Sequence, residues 1–127
     1  MSDRIFPAPP ANPESEAFYQ AAGEGRLLLR RCTVCNKPHW YPRAVCPFCF
    51  GSTRWEQASG LGVIYTVSVA RRVTPPISIA YVTLEEGPTM LTSVVDCDLD
   101  TIKIGHPVRV VFKPSKDGPS IPCFTPI

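Results

Sequence analysis

The segment that decides the fold runs from residue 32 to residue 49 and reads CTVCNKPHWYPRAVCPFC. It holds two CxxC pairs, Cys32 with Cys35 and Cys46 with Cys49, and ten residues separate the pairs. Each pair can form a tight turn whose backbone amides point at the thiolate sulfurs. Two facing turns supply four sulfurs in the tetrahedral geometry of closed structural zinc sites. The spacing therefore predicts structural Zn²⁺ in a zinc ribbon, with these four cysteines as its ligands.

Two other interpretations of the cysteine segment remain open. A redox-active CxxC motif usually opens a helix, and Pro42 and Pro47 disfavour a helix here. Iron is the nearer alternative, because four thiolates also bind iron. In addition, a CPFC pair followed by Gly51 is similar to the second metal-binding turn of rubredoxin. Iron can therefore load such a site in recombinant protein, and an iron-containing electron carrier is a weaker hypothesis for the function.

Short strands are predicted on both sides of the cysteine segment. Residues 26–31 lead into it and residues 53–58 lead out of it. Apolar residues then alternate with period two, and the predicted strands, separated by Pro and Gly breakers, are 63–70, 79–84, 90–95, 108–113 and a short 123–124. With Gly60 and Gly62 where the first of these strands must bend, the pattern predicts a mainly β fold and a small closed or half-closed barrel.

The N-terminal part is predicted to be an extended arm followed by a short helix. Residues 1–11 are rich in proline and show no periodicity. Asn12 can cap a helix that begins at Pro13, and Gly23 or Gly25 can end it. A helix this short is marginal alone. We therefore expect Phe18 and Tyr19 to dock either on the core of this chain or on a partner.

Length and composition exclude several classes of protein. The chain has 127 residues and a formal net charge of +2, which leaves no room for a two-domain enzyme with its own cofactor fold. No apolar run approaches a membrane span, and residues 1–10 lack a signal-peptide pattern. We therefore expect a cytoplasmic protein without a membrane partner. A basic excess in residues 24–72 predicts a local face for a phosphorylated ligand; its cations are Arg26, Arg30, Arg31, Lys37, Arg43, Arg54, Arg71 and Arg72.

The remaining thiols and histidines do not predict catalysis. Cys97 has an aspartate on each side, which raises rather than lowers the pKa of a thiol. Cys123 beside Phe124 is most simply a small buried residue. His39 is not needed as a metal ligand because four cysteines already close the site. We therefore predict no catalytic residues and no activity for the chain alone.

The order of features resembles that of a known family. The motifs that carry the resemblance are, in chain order, Glu24-Gly25-Arg26-Leu27, Arg31-Cys32-x-x-Cys35, Tyr41-Pro42-Arg43, Cys46-Pro-x-Cys49, Gly60-x-Gly62-x-Ile64-Tyr65-Thr66, Gly105-x-Pro107-Val108 and Phe124-Thr125-Pro126. They resemble the acyl-CoA-associated zinc-ribbon and OB-fold family, formerly a domain of unknown function, over about residues 12–127. The resemblance implies an N-terminal arm and helix (1–25), a rubredoxin-like zinc ribbon (26–58) and a C-terminal OB-fold barrel (59–127).

The resemblance also implies a function. Members of this family look like non-catalytic accessory subunits that bind thiolase-like or other acyl-CoA-processing enzymes in hetero-oligomers and help hold CoA or acyl-CoA. By this interpretation Phe18 and Tyr19 contribute to the partner interface, and Arg43, Arg71 and Arg72 bind the CoA phosphates, for which guanidinium groups are suited. The acyl-pantetheine arm is then expected between the ribbon and the barrel.

The alternative function is binding of single-stranded nucleic acid on the barrel. Such a face needs exposed aromatic side chains in a basic groove. The aromatic residues after residue 60 are Tyr65, Tyr81, Phe112 and Phe124, and core packing explains them equally well. With four thiolates and one Zn²⁺ the net charge falls to about zero, which weakens binding to phosphates. Nucleic acid is therefore the less expected partner.

Overall fold

The structure is a computed structural model that describes residues 5–10 and 12–127, so residues 1–4 and 11 of the predicted arm lie outside it. The fold class is mainly β, as predicted. One helix, α1 (Glu16–Gly23), is followed by eight strands: β1 (Leu28–Cys32), β2 (Pro38–His39), β3 (Thr53–Gln57), β4 (Leu61–Ala70), β5 (Ile77–Leu84), β6 (Thr89–Thr92), β7 (Pro107–Pro114) and β8 (Ser120–Pro126). No helix within the described ranges has the length and apolar character needed to cross a membrane.

Helix α1 begins later than the sequence predicts. The Asn12 side chain accepts a hydrogen bond from the Glu14 amide at 2.8 Å, which makes a turn before the helix rather than a helix cap. Ser15 is the residue that precedes the first helical turn. The C-terminal end agrees with the prediction, because Gly25 has φ +79° and the Arg26 amide donates to the Ala21 carbonyl.

The cysteine segment forms a small antiparallel sheet in the order β2-β1-β3. Strand β1 pairs with β3 from Leu28 opposite Gln57 to Cys32 opposite Thr53. Strand β2 has only two residues, a length that carries no readable periodicity, and it is therefore absent from the strands predicted above. The sheet brings Cys32, at the end of β1, beside the chain that returns from the second CxxC pair.

The five remaining strands form the barrel, in the order β6-β5-β4-β7-β8. A parallel bridge between Val94 and Phe124 joins the two ends of this sheet, so the sheet curls into the predicted OB fold. An irregularity between Ile64 and Thr66 interrupts the pairing of β4 with β5. Ile64 is buried before it, whereas Tyr65 is exposed. The uniform alternation that the sequence predicts along 63–70 is therefore wrong at this point, because a bulge changes which residues face inward.

In the described part of the chain, a hydrophobic core is shared by the helix, the ribbon and the barrel. It includes Phe18 of α1, Leu29 of β1 and Ala58 of the ribbon, together with Ile64 and Phe124 of the barrel. The arm is attached to the barrel as well, since the Lys116 amide donates to the Phe6 carbonyl. The helix, ribbon and barrel are thus held together by shared packing.

Candidate metal centre and apolar groove

The four predicted metal ligands come together at one point. All four Sγ atoms lie within 4.8 Å of one another. The Sγ atoms of Cys32 and Cys49 are 3.5 Å apart, and those of Cys35 and Cys46 are 3.7 Å apart. Tetrahedral zinc with Zn–S bonds of about 2.3 Å requires sulfurs about 3.8 Å apart. The cluster therefore fits a structural zinc ion, as the spacing of the two CxxC pairs predicts.

Backbone geometry prepares the sulfurs for a metal. The amides of Val34 and Cys35 each donate to the Cys32 sulfur at 3.3 Å, and the Phe48 amide donates to the Cys46 sulfur at 3.4 Å. Burial alone raises the pKa of the Cys32 thiol. The amides of Val34 and Cys35, together with the neighbouring thiols, outweigh that effect and lower the pKa to about 6. Thiolate, the form that binds zinc, is thus favoured at Cys32.

The metal-binding group contains only cysteines in the described part of the chain. His39 lies on β2 and is 4% exposed, but it does not belong to this group. Four sulfur ligands leave no open position, so zinc there ties the two CxxC turns together and gives rigidity to the ribbon rather than chemistry.

A cleft of about 510 Å³ lies between the arm, α1, the ribbon and the barrel. We call it the apolar groove. Phe18 packs on Tyr19 and Trp40 with ring centroids 5.0 and 4.9 Å apart, and Trp40 packs on Tyr41 at 5.3 Å. The complete lining is Phe6, Pro7, Pro9, Phe18, Tyr19, Trp40, Tyr41, Ile77, Ser78, Ile79, Met90, Leu91, Thr92, Ser93, Ile121, Pro122 and Cys123.

The barrel also exposes an apolar face. We define this outer face as Val63, Tyr65, Ile79, Tyr81 and Leu91, which lie on β4, β5 and β6. Tyr81 is paired with Leu91 in the sheet, so both side chains lie on the same side. The three strands, of 10, 8 and 4 residues, contain no charged side chain. The outer face therefore combines exposed apolar residues with a complete lack of charge.

Comparison with known proteins identifies the family. Residues 20–56 match the family described as the ChsH2 rubredoxin-like zinc ribbon domain, and residues 55–113 match the ChsH2 C-terminal OB-fold domain. The chain is 35% identical over 95 residues to a DUF35 domain-containing scaffold protein of Methanothermobacter thermautotrophicus, covering 68% of this chain and 71% of that protein. This chain belongs to the ChsH2-like DUF35 family.

Three further proteins extend the comparison. The chain is 32% identical over 129 residues to a protein of Thermomonospora curvata named "Probable enoyl-CoA hydratase alpha subunit"; the match covers 96% of this chain but only 40% of that relative. The solved "Ltp2-ChsH2(DUF35) aldolase" contains a chain that superposes with a TM-score of 0.81 at 28% identity, over 93% of this chain and 98% of that chain. A DUF35 protein of unknown function from Sulfolobus solfataricus shares the fold with a TM-score of 0.69 at 12% identity, over 92% of this chain and 87% of that chain.

None of the other predicted site residues of this DUF35 protein belongs to the metal-binding group. Phe18 is 1% exposed, so its ring is covered by this chain itself, whereas the half-buried Tyr19 is the more accessible of the predicted pair. Arg43, Arg71 and Arg72 are all exposed. Arg71 forms an ion pair with Asp100, while the Arg43 guanidinium lies 5.9 Å from the centre of the Tyr41 ring.

Both thiols outside the metal-binding group have raised pKa values, which disfavours the thiolate. Burial and then the flanking Asp98 and Asp96 raise the pKa of Cys97. Burial also raises the pKa of Cys123 to about 12. The apolar groove is not predicted from the sequence, because its walls come from the arm, α1, the ribbon and three barrel strands and no single stretch of sequence indicates it.

Proposed function

We propose that this chain is an accessory subunit that binds an acyl-CoA-processing enzyme and helps to hold its acyl-CoA, with no catalytic activity of its own. The outer face is the observation that carries the proposal. Exposed apolar patches on a protein mark interaction sites, and interface cores are poor in charge and rich in aromatic residues. Tyr65 is 63% exposed and Tyr81 is 46% exposed. Strands β4, β5 and β6 contain no charged residue beside them.

The names of relatives support the kind of partner. One DUF35 relative is called a scaffold protein, a second belongs to a structure titled as an aldolase, and a third is named as a hydratase subunit. We therefore propose aldolases and hydratases, besides thiolase-like enzymes, as classes of partner. Tyr19 is proposed to contact the partner or the ligand at the edge of the apolar groove, with Phe18 fixing α1 beneath it.

The proposed contribution to acyl-CoA binding divides the ligand into two parts. The acyl-pantetheine arm would lie in the apolar groove, between ribbon and barrel. Arg43, Arg71 and Arg72 would bind the CoA phosphates. Arg43 has the strongest support, because it lies over Tyr41, which lines the groove, whereas Arg71 must first exchange its pairing with Asp100.

The outer face gives no support to nucleic-acid binding. Proteins that bind single strands pair aromatic platforms with cations that follow the phosphates. The outer face has two tyrosines, but the strands that form it contain no lysine or arginine.

A tagged pull-down from the source organism at about 300 mM salt tests the proposal, because salt screens exposed charges and leaves apolar contacts intact. Mass spectrometry is expected to find an acyl-CoA-processing enzyme in near-equal amount. A double variant of the outer face, Tyr81→Ser with Leu91→Ser, is expected to lose that enzyme. Ile104→Ser is the matched control, since Ile104 is an exposed apolar residue outside the outer face. Recovery of no acyl-CoA enzyme by the unmodified chain contradicts the proposal.

A further inference from the structure

We infer that the apolar groove is the binding site for the acyl group itself, and that this group is a bulky apolar one rather than acetyl. The inference rests on the proposed function, since it takes acyl-CoA as the ligand in this groove, and it adds the class of acyl group. It concerns a site on this chain alone, so it can be tested without the partner enzyme.

The size of the groove supports a large ligand. Binding sites for small molecules have volumes of about 300–1,000 Å³ and are mostly apolar. The groove, at about 510 Å³, lies within that range. A two-carbon acetyl group would leave most of such a space unfilled, whereas a long chain or a ring system would cover Trp40 and the neighbouring apolar side chains.

The chemistry of the walls excludes the charged end of acyl-CoA. No charged residue lines the groove. The hydroxyl groups of its serines and of its threonine, Thr92, are already engaged: Ser93 donates to the Ser78 carbonyl at 2.8 Å, Ser78 donates to the Val94 carbonyl at 2.9 Å, and Thr92 donates to the Pro122 carbonyl at 3.2 Å. Because these three hydroxyls are bonded to the backbone, the wall formed by the barrel strands is effectively apolar. Phosphates and adenine would find no charged partner there, whereas a hydrocarbon group needs none.

The surroundings of the groove orient the ligand. On one side Tyr41 is exposed and carries the Arg43 guanidinium over its ring, which places a cation just outside the apolar walls. The phosphates would lie on that side and the acyl group inside. On another side, Ile79 and Leu91 belong to both the groove and the outer face. A partner seated on the outer face would therefore cover the acyl group and shield it from water.

The test compares ligands that differ only in the acyl group. Dodecanoyl-CoA, acetyl-CoA and CoA are titrated into the zinc-loaded full chain, with affinity measured by calorimetry and the groove monitored by Trp40 fluorescence in a Trp55→Phe background. Trp55 lies under Arg30, 4.0 Å from the guanidinium, and does not line the groove. Because burial of each additional methylene strengthens binding, dodecanoyl-CoA is expected to bind at least about tenfold more tightly than acetyl-CoA and to change Trp40 emission.

Variants locate the site. Leu91→Asp places a charge in the groove and is expected to weaken dodecanoyl-CoA by at least about tenfold while leaving CoA unaffected. Leu61→Asp is the matched control, because Leu61 is equally a leucine exposed on a barrel strand but does not line the groove. Thermal melts verify that both variants fold, and the comparison of acyl groups on the unmodified chain remains decisive if Leu91→Asp does not.

Three outcomes overturn the inference. Equal affinity for dodecanoyl-CoA and acetyl-CoA removes the acyl site but leaves a CoA-binding subunit in place. Tight binding of dodecanoyl-CoA without any change in Trp40 emission, or with Leu91→Asp unaffected, moves the ligand elsewhere. Absence of binding to all three ligands shows that the groove has another occupant, such as a segment of the partner, and the pull-down then judges the accessory function separately.

Discussion

Phe50 occupies a backbone conformation that favours glycine. It follows the last metal-binding cysteine with φ +63°, and its ring is 82% exposed. A side chain in this region costs about 1–2 kcal/mol relative to ordinary helical geometry, and a ring this exposed gains little from packing. We therefore expect Phe50→Gly to increase the free energy of unfolding by about 0.5–1 kcal/mol, measured by chemical denaturation with zinc bound.

Phe48 provides the control for that substitution. Its ring is also largely exposed, but its φ is not positive. Phe48→Gly adds flexibility to the unfolded chain without relieving strain, so it should lower stability. If both substitutions change the free energy of unfolding in the same direction, backbone strain at Phe50 does not explain the effect of Phe50→Gly.

His39 makes the stability of the ribbon depend on pH. Burial lowers its pKa from 6.5, the charges of Arg30 and Arg43 lower it further, and the backbone of Arg43 acts in the opposite direction. Neither ring nitrogen has a hydrogen-bond partner with good geometry in the described chain. Below pH 6.5 the unfolded chain takes up a proton at this position while the folded chain does not. The stabilising effect of the neutral ring is therefore complete above 6.5 and is lost as the pH falls towards the folded pKa.

The measurement is the melting temperature at about pH 7.5 and about pH 5.5, for the unmodified chain and His39→Gln. The unmodified chain should lose stability at the lower pH, and His39→Gln should lose less. His106→Gln removes the other histidine, which lies in a turn before β7, and leaves the burial of His39 intact. An equal pH effect in the unmodified chain and His39→Gln would assign the dependence to other groups.

Among the elements of the fold, β4 contains a glycine, Gly62, at a position with no room for a side chain. A Cβ at Gly62 would lie 2.7 Å from the Thr83 carbonyl oxygen, a backbone atom that cannot move aside. Gly62 is paired with Leu84 on one side and Val108 on the other. Gly62→Ala is therefore expected to lower the free energy of unfolding by about 1–3 kcal/mol.

Gly23 at the end of α1 is the matched glycine. No atom lies within 4 Å of a Cβ built there, and its φ is not positive. Gly23→Ala should leave stability unchanged or raise it by up to about 0.5–1 kcal/mol, because alanine favours the helix. Denaturation curves of the two variants decide the matter, and a destabilised Gly23→Ala together with a neutral Gly62→Ala would contradict the steric argument.

The long strands of the barrel can be predicted from the sequence, but their ends and irregularities cannot. Period-two patterns located the long strands because alternation records which residues face a core. Strand β8 was predicted as only 123–124, since Pro122 and Pro126 interrupt its pattern, although its seven residues pair fully with β7. The bulge at Tyr65 was not predicted, because a single extra residue leaves both halves of the alternation looking regular. Local signals predict elements, and pairing determines their ends.

At the scale of the whole molecule the two candidate sites differ in predictability. The metal centre follows from 18 consecutive residues, because the spacing of the cysteines is itself the site. The apolar groove depends on the packing of Phe6, Tyr19, Trp40, Leu91 and Ile121, which are far apart in the chain. The outer face could have been suspected from the lack of charge in β4, β5 and β6, but strand patterns alone do not distinguish an exposed apolar side chain from a buried one.

The shared core predicts that the ribbon and the barrel unfold together. Leu29 of the ribbon packs in the same cluster as Ile64 and Phe124 of the barrel, so loss of zinc removes support from both. Structural zinc contributes apparent binding energies of about 10–16 kcal/mol in small zinc domains. We therefore expect chelation to lower the melting temperature strongly and to leave a single transition, coincident by tryptophan fluorescence and far-ultraviolet circular dichroism.

Metal content and cysteine variants complete this experiment. Elemental analysis should find one zinc per chain, and Cys46→Ser should reproduce the effect of chelation. Cys97→Ser should not, because Cys97 lies outside the metal-binding group. The two tryptophans lie in the ribbon, whereas most of the strand signal comes from the barrel. If chelation changes the fluorescence while the circular dichroism transition stays in place, the barrel is stable without the ribbon and the shared core does not couple them.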